Sequence, residues 1–107
     1  MDATPETFET AVLERSRELP LIVDFWAPWC GLMLAPVLER EVERRGGAVE
    51  LVKVNVDDSP ELASRYAVSG IPSVNAFSGG AVVDQFVGAI PPAAVSGFLD
   101  AVVDEAA

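Results

Sequence analysis

Six residues, Leu21-Ile22-Val23-Asp24-Phe25-Trp26, constrain the fold of this chain more than any other stretch. Pro20 and Pro28 bracket them, leaving a run too short for a helix that must bury itself. Near-continuous apolarity over such a length marks a strand covered on both faces, because a strand with one wet face alternates instead. The sheet that holds this strand therefore lies between helices. One carboxylate, Asp24, has to be accommodated inside it.

The rest of the chain supplies the covering layers. Thr4-Pro5 reads as an N-cap followed by proline in the first turn, and Phe8, Ala11, Val12 and Arg15 keep helical spacing to about Arg17. Leu34, Val37, Leu38 and Val42 mark a second helix ending at Gly46-Gly47, with Pro36 either kinking it or lying near its start. Val49 to Val56 is a second buried strand, and Ser59-Pro60-Glu61 caps a short helix reaching Tyr66. Ser73 to Phe77 and Ala81 to Val87 flank Ser78-Gly79-Gly80 as a hairpin, and Pro91-Pro92 opens a last helix whose apolar face is Val95, Phe98, Leu99 and Val102. The order α-β-α-β-α-β-β-α predicts an α/β fold, a central mixed sheet with helices on both faces.

Charge and composition exclude several classes. With 107 residues, half of them apolar, the chain is expected to form one domain over 1–107. Seven basic residues against seventeen acidic give a net charge of −10, which repels nucleic acid and anionic membranes. The acidic surface reads as a solvated face. No apolar stretch approaches the roughly 20 residues that span a bilayer, and the first residues lack the basic-then-apolar pattern of a signal peptide. One cysteine and no histidine leave no metal set and no internal disulfide. A reducing cytoplasm is the expected setting, with no metal and no cofactor.

The chemistry concentrates at Cys30. A cysteine just after a buried strand and entering a helix sits where backbone N–H groups and the helix dipole favour its thiolate. Asp24, six residues earlier, is expected beneath it in the core, and Lys53 on the next strand is expected to pair with that carboxylate. Gly70-Ile71-Pro72 suggests a turn holding a cis peptide bond. Trp26 and Trp29 are packing residues first. Trp29 also suits a peptide groove with Gly31, Ile71, Pro72 and Gly88, where an extended peptide adds backbone hydrogen bonds.

In combination, these residues are very similar to the thioredoxin family over nearly the whole chain. Asp24-Phe25-Trp26-Ala27-Pro28-Trp29-Cys30-Gly31 resembles the family's active-site approach, and Ala35-Pro36-Val37-Leu38 its kinked helix. Lys53-Val54-Asn55-Val56-Asp57 resembles the central strand, Gly70-Ile71-Pro72-Ser73 the cis-proline loop, and Phe86-Val87-Gly88 the last strand. The resemblance implies a thioredoxin fold, disulfide exchange with protein or peptide disulfides, and catalytic roles for Cys30, Asp24 and Lys53. Segments 70–77 and 82–89 also resemble the thioredoxin-like domain of the chaperedoxin co-chaperones, which carry a helical-repeat domain that this sequence does not contain.

Two departures stand against the family pattern. Trp29-Cys30-Gly31 runs directly into Leu32-Met33-Leu34-Ala35-Pro36, so the simplest alignment removes the proline and the second cysteine. A mixed disulfide on Cys30 then needs an outside thiol such as glutathione to resolve it, and Asp24 loses the thiol it would serve. Two residues of helix are worth ~3 Å of rise and about 200° of rotation. Either the first helical turn unravels to span the loss, or residues 1 to about 29 pack onto a second copy as a domain-swapped homodimer. The second departure is that Met1 to Thr4 is short for the edge strand that usually precedes the first helix, so that strand is expected to be missing or short. The sequence thus leaves an impaired disulfide oxidoreductase and a non-catalytic peptide-binding fold as competing readings.

Overall fold

The computed structural model describes residues 1–28 and 34–106. Among them, four strands form one mixed sheet in the order β2-β1-β3-β4. Strand β1, Leu21–Trp26, is central: it runs parallel to β2, Glu50–Asn55, and antiparallel to β3, Ser73–Ser78. Strand β4, Ala81–Val87, closes the other edge antiparallel to β3. The parallel step from β1 to β2 crosses through helix α1, Leu34–Glu43. Helix α2, Pro60–Arg65, leads from β2 towards β3, and α3, Pro92–Ala106, follows β4.

The burial expected of the Leu21–Trp26 run is present, with its first five residues buried. Alternation sends Leu21, Val23 and Phe25 to one face. There they meet Val52, Val54 and Phe77 of the sheet, Phe8 and Val12 of the N-terminal helical segment, and Leu62 of α2. Tyr66 joins the rings of Phe8, Phe25 and Phe77 at centroid separations of 5.3–6.1 Å. Ile22 points to the opposite face with Val74 and Ala76, under Leu34 and Leu38 of α1 and Val95, Leu99 and Val102 of α3.

Four local readings are refined by tertiary structure. The N-terminal helix is not a regular α-helix: it winds as a π-helix over Glu9–Glu14 and tightens to a 3-10 turn over Arg15–Arg17. Buried Ser16 ends it against the hairpin, where its carbonyl and hydroxyl accept the N–H groups of Gly79 and Gly80, both at 2.8 Å. Gly79 and Gly80 have φ of +61° and +85°, the two-residue turn that matches strand twist. Ser59 precedes α2 but its side chain makes no capping bond; its carbonyl accepts from Leu62 and Ala63 instead. Met1–Ala3 does supply a vestigial edge, since Lys53 N–H donates to the Met1 carbonyl and Ala3 N–H to the Lys53 carbonyl, both at 2.8 Å. Pro36 lies third in the described part of α1.

The acidic surface is not all solvated. Glu41 of α1 is buried, and a buried carboxylate needs charged partners. Arg45 donates to Glu41 Oε1 at 3.1 Å and reaches across to Asp100 Oδ1 at 2.7 Å and the Ser96 carbonyl at 2.9 Å, clipping α1 to α3. The Arg45 hydrogen bond is the main reason Glu41 sits below the usual carboxylate range.

Helix α2 ends with Ala67 at φ +54°, its N–H donating to the Ser64 carbonyl and that of Val68 to the Ala63 carbonyl at 2.8 Å. That is a Schellman ending, which favours glycine at this position. Ala67 is exposed, so its methyl contributes no packing there. Ala67→Gly is expected to stabilise the fold by about 1 kcal/mol, net of the added chain entropy. Thermal unfolding should show a rise of roughly 4–8 °C.

Candidate functional site

One end of the sheet brings together Ile71, Pro72 and Gly88, while Asp24 and Lys53 stand in mid-strand behind it. Phe25 pairs with Ser73 and Ser73 with Val87, so the end of β1 adjoins the start of β3 and the end of β4. Pro72 and Gly88 follow immediately from those pairs. In open α/β sheets this carboxyl-terminal edge of the parallel strands is where ligands sit. Trp29, Cys30 and Gly31 lie outside the described residues, as do Leu32 and Met33, the rest of the corner between β1 and α1.

The Ile71–Pro72 peptide bond is cis, as Gly70-Ile71-Pro72 suggested. Gly88 has φ +87° and donates its N–H to the Pro72 carbonyl at 2.7 Å, which locks the two loops together. A side chain at Gly88 would hold that left-handed backbone only under strain. Gly70 packs close to β4: a Cβ there would come within 3.2 Å of Val87 Cγ1. Ile71, Pro72 and Gly88 are thus brought together, half-buried. Val87 beside them is 59% exposed and was not singled out in the sequence, where it reads only as one more strand valine. An apolar groove of about 460 Å³ runs along this loop between Val56, Pro60, Ala63, Val68 and Ile71.

Asp24 lies behind this edge. Alternation along β1 turns it towards the α1 face with Ile22, and it is 2% exposed. Its Oδ1 has no hydrogen-bond partner among the described residues. Burial pushes its carboxyl up to about 6, Lys53 opposes that rise, and the Glu39 charge adds to it. Lys53 stands opposite Asp24 in the β1–β2 register, but the expected Asp24–Lys53 bond does not form. Its ammonium instead bonds Glu39 Oε1 on α1, an acceptor nearer the solvent. Full desolvation penalises an ion pair at Asp24 more than one at half-exposed Glu39, which is why the lysine leans outward. Nothing in the sequence marked Glu39 except its place one residue after Leu38 on α1.

The remaining candidates are structural. Trp26 packs half-buried, with its indole Nε1–H unpartnered among the described residues. Leu34 is a core residue. Among the described residues no group of three or more His, Cys, Asp or Glu side chains could hold a metal ion, and no helix is long and apolar enough to cross a membrane.

A central mixed sheet, helices on both faces, a cis-proline loop locked to the glycine after the last strand, and a buried aspartate behind them define a thioredoxin-type fold. The family model for thioredoxin matches residues 1–101. The chain is 47% identical over 96 residues to the thioredoxin of Streptomyces clavuligerus, covering 88% of this chain and 87% of that one. It is 42% identical over 99 residues to thioredoxin 1 of Nostoc sp. (strain PCC 7120), covering 91% of each, and 41% identical over 104 residues to the thioredoxin of Synechocystis sp. (strain PCC 6803), covering 94% and 97%. The chain belongs to the thioredoxin family.

The Asp24 carboxyl sets a pH dependence whose sign follows from its direction. Its native value near 6 lies above the ordinary 3.8, so the folded state binds the proton more tightly. Stability contributed by that proton is present in full below about 3.8 and is lost as pH rises through 6. Asp24→Asn should therefore stabilise the fold at pH 8 by on the order of 2–3 kcal/mol, and the difference should vanish towards pH 4. Denaturant midpoints of both proteins across that range measure it.

Proposed function

We propose that this chain is a single thioredoxin-like domain whose one active-site thiol, Cys30, exchanges with protein or peptide disulfides but does not complete the exchange alone. The observation that carries the reading is the count of one cysteine in a chain of this family, placed at the corner after β1. The Cys30 thiolate attacks one sulfur of a substrate disulfide, forms a mixed disulfide and expels the other substrate sulfur as a thiolate. With no second internal thiol, an external thiol of glutathione type attacks the mixed disulfide at the Cys30 sulfur and releases the second substrate thiol. A second external thiol then regenerates Cys30 and leaves as a symmetrical disulfide. Two external thiols are oxidised for each substrate disulfide reduced.

Ile71, Pro72 and Gly88, with Trp29 and Gly31 from the corner, are the residues this reading assigns to substrate binding. Asp24 and Lys53 are assigned to the proton balance of the site. The missing second cysteine is read as a two-residue shortening of the corner, and a reducing cytoplasm suits a thiol that must stay free.

Insulin reduction tests the reading. Turnover should be negligible with NADPH and thioredoxin reductase alone, appear slowly with added glutathione, and disappear in Cys30→Ser. Turnover by the reductase without small thiols would overturn it.

A second reading, non-catalytic binding of extended peptides, is favoured by exposed Val87 and the apolar groove beside Ile71, which need no sulfur. Suppression of client aggregation by Cys30→Ser equal to that of the native chain would support it, and the likeness of segments 70–77 and 82–89 to chaperedoxins makes that assay the natural one. The shortened corner also bears on oligomeric state. Exchange of residues 1 to about 29 between copies would give a dimeric mass by light scattering, and a monomeric mass in dilute solution would exclude it.

A further inference from the structure

Asp24 and Lys53 stand opposite each other on adjacent strands, yet the lysine's ammonium is held by Glu39. Strand neighbours lie about 4.8 Å apart, within easy reach of a lysine side chain. Lys53 nevertheless spends its ion pair on Glu39 and leaves Asp24 Oδ1 unpartnered among the described residues. The lysine is largely withdrawn from water while Glu39 is half-exposed, so the glutamate captures it from the solvent side.

We propose that Glu39 is a positioning residue that engages Lys53 and so withholds from Asp24 the cation standing opposite it. The surroundings offer no substitute among the described residues. Strand β3 contributes Val74 and Ala76 to that face, and α3 contributes Val95, Leu99 and Val102. On α1, Glu41 is already bonded by Arg44 and Arg45, and Asp100 of α3 by Arg45. Lys53 is the cation that draws the Asp24 proton off, and Glu39 opposes it.

The consequence is a switchable proton. A buried carboxyl with a free lysine opposite is driven towards its charged form, whereas one whose lysine is engaged keeps its proton at higher pH. The inference deepens the proposed function, since it concerns a group assigned to the thiol site. Its readout does not depend on that chemistry, because the Asp24 titration can be followed in Cys30→Ser as well as in the native chain.

Side-chain carboxyl NMR of the full chain tests it. Glu39→Gln should lower the Asp24 midpoint by about one pH unit, a tenfold loss of proton affinity, and Glu39→Asp should restore part of the shift. The same Glu39→Gln change made in a Lys53→Met or Lys53→Gln background should move the midpoint by less than about a third as much, since the exposed glutamate's own charge is screened by salt. Equal shifts with and without Lys53 would show that Glu39 acts only through its own charge, and an unchanged midpoint in Glu39→Gln would show that it does not act at all. Either result overturns the proposal.

Discussion

The structure depends on one strand being enclosed on all sides. β1 is hydrogen-bonded to β2 and β3 along its edges and covered by helical layers on both faces. Every backbone donor and acceptor in such a strand is satisfied by the ladder, so the apolar side chains of Leu21, Ile22, Val23 and Phe25 can be buried at no polar cost. The two cores form back to back on this strand. Removing its apolarity on either face would detach one helical layer, not weaken a local contact.

That enclosure is what makes Asp24 unusual. A carboxylate at the middle of an enclosed strand forgoes the hydration that would stabilise its charge, and its proton is retained up to about pH 6. The fold carries this penalty in the row of residues that lies behind the cis-proline loop. Nearby charge is arranged in two separate groups: Glu41 with Arg44, Arg45 and Asp100, which holds α1 to α3, and Glu39 with Lys53, which borders Asp24. The first joins two helices and the second ties α1 to β2, although both draw on the same helix.

Topology decides what meets at that end. Because β1 and β2 are parallel and β3 returns antiparallel, the exit of β1, the entry to β3 and the exit of β4 converge. Gly88 then reaches the Pro72 carbonyl, with the exposed Val87 beside it. The membership of the chain in the thioredoxin family agrees with this construction.

Much of this was legible in the residues. An apolar run between prolines predicted the enclosed strand, paired glycines predicted the hairpin, and Gly70-Ile71-Pro72 pointed to the cis bond, because each is a local property of a few adjacent side chains. The docking of Ser16 on the Gly79-Gly80 turn was not legible, since those partners lie 63 and 64 residues away in the chain. Nor was the burial of Glu41, whose partner Arg45 also grips α3. The sequence alone determined which segments become strands and helices and that the chain carries one thiol, because period and composition are carried by neighbours. Only the tertiary structure decided that Lys53 bonds Glu39 and not Asp24, because the choice between two carboxylates turns on how much water each retains, and water is excluded by the assembled fold.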